Sequence, residues 1–99
     1  YAAPTTVDEA RELLAGDPEA RVFAGATDLI PQIRGGRPEP SVLVDLKHID
    51  RLIGTAEANG SWTVGAATPS STLTHDRAFT ETFPGLSEAS GLIGSDQIQ

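Results

Sequence analysis

Apolar positions recur at helical spacing near the start of the chain, where Val7, Ala10, Leu13 and Leu14 share one face and Asp8, Glu9, Arg11 and Glu12 lie elsewhere. Thr6-Val7-Asp8-Glu9 fits a capping box, in which the Thr6 hydroxyl accepts from the Glu9 amide and the Glu9 carboxylate returns to Thr6. The pattern predicts a helix that begins here, is stopped by Gly16-Asp17-Pro18, and lays its apolar stripe on a sheet. Arg21-Val22-Phe23-Ala24 then reads as a short strand, and Gly25-Ala26-Thr27-Asp28 as a tight turn into a helical Leu29-Ile30-Pro31-Gln32-Ile33-Arg34. Pro31 fits a helix only in its first turn, where its missing N–H would have had no partner, so the helix must start close to Thr27 or Asp28. Gly35-Gly36 ends it.

After Pro38-Glu39-Pro40, the unalternating run Val42-Leu43-Val44-Asp45-Leu46 suits a strand covered on both faces in a parallel sheet. Strand, helix and strand in this order predict a βαβ unit. Residues 52–57 and 61–66 flank Asn59-Gly60, a strong hairpin signal, with Trp62, Val64 and Ala66 expected on one face. Asn59-Gly60-Ser61 also matches the N-glycosylation pattern, but no secretory signal accompanies it, and the turn is the preferred reading. Thr68-Pro69-Ser70-Ser71 leads into a helical stretch over 73–79, and Pro84 opens another with Leu86, Ala89, Leu92 and Ile93 expected to face inward.

Composition narrows what such a chain can do. Its 99 residues, 38% hydrophobic, allow one modest core. A net charge of -7 removes the basic footprint that binding to DNA or RNA requires, so no nucleic-acid partner is expected. No apolar run approaches the ~20 residues of a membrane span and no basic leader is present, which makes a cytoplasmic location the expectation. With no Cys, these residues can supply neither a disulfide nor thiolate ligands for zinc, iron–sulfur or haem centres. The chain opens on Tyr1 and closes on Gln97-Ile98-Gln99 without a cap or polar tail, and reads as a fragment.

The segment with chemistry in it is Phe23-Ala24-Gly25-Ala26-Thr27-Asp28-Leu29. A strand-to-helix turn of small residues directs backbone N–H groups at one spot, which suits an anion. Ala24, Gly25 and Ala26 do not hold a pyrophosphate off the main chain, and Gly25 can take backbone angles closed to the others. Amide donors also let an acidic chain bind an anion. Asp28 would repel phosphate, so it or Thr27 is expected to cap the helix; the Thr27 hydroxyl can alternatively donate to a phosphate oxygen. The residues alone leave two readings open, an anion site and a plain close turn, because neither the dinucleotide fingerprint nor the P-loop pattern is present.

Other candidates carry less. His48 and His75 are isolated, with Asp45, Asp50 and Asp76 nearby, and read as surface or helix-end residues; no metal ligand is expected. Gly91-Leu92-Ile93-Gly94-Ser95 lacks the Gly-x-Ser-x-Gly elbow and Ser95-Asp96 has no His near, so no catalytic nucleophile, acid or base is nominated.

Ala24-Gly25-Ala26-Thr27-Asp28-Leu29 resembles the Ala-Gly-Gly-Thr-Asp-Leu motif of the FAD-binding subunit of molybdenum hydroxylases, the xanthine dehydrogenase and carbon monoxide dehydrogenase medium-subunit family. The likeness extends along the whole chain: Pro4-Thr5-Thr6, Val44-Asp45-Leu46, Val64-Gly65-Ala66-Ala67-Thr68, Pro84-Gly85-Leu86-Ser87-Glu88-Ala89 and Gly94-Ser95-Asp96-Gln97-Ile98 resemble its further landmarks. The resemblance implies an α/β (α+β) fold, a small βαβ sheet with flanking helices plus a β-hairpin. This would be the N-terminal lobe of a PCMH-type FAD-binding domain, with residues 1–50 as the pyrophosphate-binding lobe and 51–99 leading into a second lobe.

It further implies that Phe23, Ala24, Gly25, Ala26, Thr27, Asp28 and Leu29 form the first of two Gly-rich loops on the FAD pyrophosphate. The second, in an Asn-x-x-Thr-x-Gly-Gly-Asn stretch, would follow Gln99. Two departures stand out: Ala26 replaces the second Gly, which requires that this position avoid positive φ, and Gln99 stands where many members have Arg. In such enzymes a molybdenum-binding large subunit oxidises the substrate, an iron–sulfur small subunit with 2Fe–2S clusters carries electrons onward, and FAD passes them to an acceptor. Rival readings are a self-contained FAD oxidase or reductase and a non-enzymatic phosphate-binding or interaction module.

Overall fold

The computed structural model describes residues 1–94 and divides into two compact units, Tyr1–Leu52 and a second that begins at Ile53. In the first, helix α1 (Val7–Gly16) opens on Thr6, whose Oγ1 accepts from the Glu9 amide at 3.2 Å. The Glu9 carboxylate returns to the amide of Thr5, at 3.2 Å, one residue before the Thr6 partner that the capping box implied. Strands β1 (Arg21–Phe23) and β2 (Leu43–Asp45) pair in parallel, with Val22 opposite Val44 and Phe23 opposite Asp45. Helix α2 (Leu29–Arg34) is the crossover between them, and it completes the expected βαβ unit.

Both strands are shorter than their apolar runs. Ala24 leaves the ladder to enter the loop, and Leu46 starts a 3-10 turn over Leu46–His48 that is capped by Asp45, with the Lys47 N–H donating to its Oδ1 at 3.0 Å. Ala2 adds a single parallel bridge on the far side of β2: its amide donates to the Leu43 carbonyl and its carbonyl accepts from Asp45, both at 2.8 Å. Val44 and Asp45 are buried in succession, as expected for a strand covered on both faces. The core joins Ala10 of α1 to Val44 and Ile49, flanked by Val7, Leu13, Val42, Leu46 and Leu52. Each fully buried Val or Ile contributes about 1.5–3 kcal/mol over its exposed state, so α1 is held by this stripe more than by its own propensity.

In the second unit, β3 (Thr55–Ala58) and β4 (Ser61–Val64) form an antiparallel hairpin with Ala58 opposite Ser61. Asn59 and Gly60 have φ 53° and 78°, the two positive values of a type I′ turn. Trp62 meets Phe79 and Phe83 edge-on, at centroid distances of 5.9 and 6.0 Å, and anchors the hairpin to helices. Of Trp62, Val64 and Ala66, expected on one face, Trp62 is half-buried while Val64 and Ala66 are exposed. The strand ends at Val64, and a turn closed by Thr68 N–H on the Gly65 carbonyl buries Ala67.

The helical stretch expected over 73–79 is two helices, α3 (Ser70–His75) and α4 (Arg77–Thr82), divided at Asp76. Asp76 has extended backbone angles, and its Oδ1 caps α4 by accepting from the Phe79 amide at 3.0 Å. Helix α5 (Pro84–Gly91) carries Pro84 in its first turn, as the sequence implied, but it packs the other way round. Ser87 and Ser90 are its buried positions, whereas Leu86 is 54% and Leu92 78% exposed, with Ala89 and Ile93 also outward. The serines fit because their hydroxyls are satisfied: Ser87 Oγ lies 2.9 Å from Thr80 Oγ1, and Ser90 Oγ donates to the Leu86 carbonyl. Ser95, Asp96, Gln97, Ile98 and Gln99, part of the resemblance, lie outside the described residues.

Candidate functional site

Residues 24–28 join the end of β1 to α2. Gly25, Thr27 and Asp28 are exposed, Ala24 and Ala26 half-buried. Among the described residues, the amide hydrogens of Gly25, Ala26 and Thr27 have no acceptor within the chain; the first amide of this segment to be taken up is that of Ile30, which donates to the Ala26 carbonyl at 3.2 Å. A β-carbon built on Gly25 would meet no atom within 4 Å, so the main chain there lies open to close approach by a ligand. Unpaired donors in a loop that borders open space at Gly25 fit a pyrophosphate, whose oxygens are acceptors only.

The backbone of the loop differs from the expectation in one respect. Gly25 does not use its conformational freedom. Ala26 holds the positive angle instead, at φ 58°, so this position does require the left-handed region even without a glycine. The strain is on the order of 1–2 kcal/mol, and it stands where the family motif has its second Gly.

The capping expectation also fails. Asp28 is the residue before α2 but has helical angles (φ -96°, ψ -39°) and no side-chain cap, and the Thr27 hydroxyl has no hydrogen bond among the described residues. Both side chains are therefore free to face solvent or a ligand. Since α2 is only six residues long, its dipole is small, and local amides rather than the helix carry the attraction for an anion.

Sequence reasoning did not find the group beneath the loop. Asp45, 2% exposed at the end of β2, accepts from the Tyr1 hydroxyl at 2.7 Å and from Lys47 Nζ at 2.8 Å. Burial pushes its carboxyl up, but donation from Lys47 and Tyr1 outweighs that and lowers it to about 2. The same Asp45 holds the Tyr1 phenol above its ordinary value, chiefly through their hydrogen bond. Lys47 Nζ reaches the Ala24 carbonyl at 2.9 Å and sits 4.3 Å from the Phe23 ring centroid. His48 Nε2 approaches Asp45 Oδ2 at 3.5 Å. The available signal was an Asp inside an otherwise apolar strand, followed two residues later by a Lys.

His75 lies in the second unit, its Nδ1 2.7 Å from the Ser71 carbonyl. Among the described residues no group of three or more His, Asp or Glu is placed to hold a metal, and no helix is long and apolar enough to cross a membrane.

A mixed α/β unit with an amide-lined strand-to-helix loop defines the class, and comparison with known proteins defines the family. The chain superposes on carbon monoxide dehydrogenase from Hydrogenophaga pseudoflava, a form lacking the Mo-pyranopterin moiety of the molybdenum cofactor, with a TM-score of 0.94 and 31% identity over 99% of this chain and 34% of that one. It is 31% identical, over its full length, to the xanthine dehydrogenase FAD-binding subunit of Escherichia coli O157:H7, covering 34% of that protein. The 6-hydroxypseudooxynicotine dehydrogenase complex subunit alpha of Paenarthrobacter nicotinovorans gives the same 31% identity and the same 34% coverage. Residues 1–99 match the FAD binding domain in molybdopterin dehydrogenase, and the chain belongs to that family. It spans about a third of the length of these relatives.

Proposed function

We propose that Ala24, Gly25, Ala26, Thr27 and Asp28 hold one side of the FAD pyrophosphate, with Phe23 and Leu29 setting the loop's two ends. The observation that carries this is the set of amides of Gly25, Ala26 and Thr27 that have no acceptor among the described residues, in a loop whose Gly25 borders open space and in a chain of this family. The Thr27 hydroxyl is free to add a donor. Asp28, negatively charged, serves the loop through its backbone.

The full-length protein is then the FAD-binding subunit of an oxidoreductase. Bound flavin supplies the electron chemistry, taking electrons from a molybdenum-binding large subunit through the 2Fe–2S clusters of a small subunit and passing them to an acceptor. The protein contributes anchoring and orientation, and no acid, base or nucleophile comes from these residues. Subunit composition among the relatives supports the assembly, since one of them is a subunit of a dehydrogenase complex.

Purifying the full-length protein under native conditions tests both parts. The expected result is a yellow preparation with stoichiometric FAD that copurifies with molybdenum and iron–sulfur subunits. A colourless protein would sink the flavin reading, and a complete single-chain flavoenzyme would favour the self-contained alternative.

A further inference from the structure

The amides of Gly25, Ala26 and Thr27 have no acceptor among the described residues, and the contacts of Lys47 bear on the direction of the first of them. An ammonium has three N–H donors. In Lys47 one meets the Ala24 carbonyl at 2.9 Å, one meets Asp45 Oδ1 at 2.8 Å, and the charge lies over the Phe23 ring at 4.3 Å. These contacts join the last residue of β1, the first residue of the loop and the end of β2 through one nitrogen.

The carbonyl it grips matters most. Across a planar trans peptide, C=O and N–H point in opposite directions, so fixing the Ala24 oxygen also fixes the direction of the Gly25 amide. Turned the other way, the same peptide would present its oxygen to a phosphate and repel it. Asp45 makes the grip rigid, because its carboxylate is buried and is further tied by the Tyr1 hydroxyl and the Lys47 amide. The carboxylate also neutralises the ammonium, so the pair contributes orientation more than net charge.

We infer that Lys47 is a positioning residue for the cofactor, latching the Ala24 carbonyl so that the Gly25 amide stays directed at the pyrophosphate. The inference rests on the proposed FAD reading for its purpose, though not for its geometry. The Lys47 side chain is half exposed but Asp45 is buried, so loss of the pair lowers stability as well as freeing the loop, and the flavin-free thermal midpoint separates the two effects.

The test uses the full-length protein stripped of flavin. Lys47→Met removes the latch; Lys47→Gln keeps a donor for Asp45 but is too short to reach Ala24 as well, and guards against a folding defect. Lys47→Arg can span both partners and stack on Phe23. Three quantities are read: the FAD dissociation constant, the thermal midpoint without flavin, and the amide order parameter of Gly25 from nitrogen relaxation.

Both neutral variants should bind FAD at least about tenfold more weakly, the loss of one charge-assisted hydrogen bond, while the order parameter of Gly25 falls and Arg restores both. A dissociation constant within about twofold of the parent in either neutral variant overturns the inference. So does a loss that Arg fails to rescue and that tracks a lowered thermal midpoint. If the parent itself binds no FAD, the flavin reading fails, and an unchanged Gly25 order parameter in Lys47→Met would separately dismiss the latch.

Discussion

Among the described residues two turns place a residue other than glycine in the left-handed region, and they are built on opposite terms. At Asn59-Gly60 the two positive φ angles fall on the residue types that tolerate them, and the turn's own sequence is sufficient to fix its shape. In residues 24–28 the glycine is spent elsewhere: Ala26 carries φ 58°, Gly25 lies beside it with no positive angle, and contacts from Lys47 reach the loop from another strand's end. The hairpin turn serves the fold. The loop keeps a strained residue and unpaired amides, and such features persist where surrounding structure holds them for a purpose.

The largest effect expected from breaking this contrast is at Gly25. Because a β-carbon there meets nothing in the protein, Gly25→Val should leave the flavin-free thermal midpoint nearly unchanged. Two branches added where the proposed site brings the main chain against the pyrophosphate should lower FAD affinity a hundredfold or more, measured by reconstitution of the flavin-free full-length protein. Full flavin content in the purified variant would show that the cofactor does not approach at this loop.

Acid should disturb the loop's foundation next. Asp45 titrates at about 2 in the folded protein against an ordinary value of 3.8. Its contribution is therefore complete above about pH 4 and lost as pH falls toward 2, on the order of 2 kcal/mol in all. Denaturant unfolding of Asp45→Asn and parent protein across pH 2–5 should show the parent's advantage shrinking over that window; a constant difference would mean that the carboxylate's charge is not what stabilises it.

A smaller effect, confined to the other turn, is expected from Gly60→Ala. At φ 78° the added β-carbon is strained, with a loss of about 1 kcal/mol, visible as a lower chemical-denaturation midpoint. FAD affinity should not follow it.

The smallest effect is the most pointed. Ala26→Gly relieves left-handed strain but adds unfolded-state freedom, so stability should change by less than about 1 kcal/mol, with a rise if strain dominates. A fall of about 2 kcal/mol in urea unfolding would mean that the alanine side chain makes contacts that outweigh its backbone angle.

Local chemistry made much of this fold legible. Thr6, Pro31, Asn59-Gly60 and Pro84 each act through their own backbone neighbourhood, and each marks the turn or helix start that the sequence implied. The loop itself was legible as a strand-to-helix connection of small residues. What failed depended on partners distant in sequence. No helical periodicity says that Ser87 will find Thr80 and bury while Leu86 and Leu92 turn outward. Spacing could not reveal that an Asp in an apolar strand would be tied by Tyr1, 44 positions away, or that Lys47 would reach back 23 positions to Ala24. The angle of Ala26 escaped because alanine gives no hint of left-handed backbone; only the family motif, with Gly there, pointed to it.

The Ala2 bridge has a consequence for association. A strand with one unpaired side is a template for another chain, and β2, with Val44 fully buried, is the more buried of the two strands of the first unit. One side of it is taken by β1. On the other, Ala2 satisfies the Leu43 carbonyl and the Asp45 amide with two hydrogen bonds, the one bridge to that side among the described residues. Shortening the chain to begin at Pro4 would unmask that edge and release the Tyr1 phenol from Asp45 together, turning a closed ladder into one open to self-templated pairing.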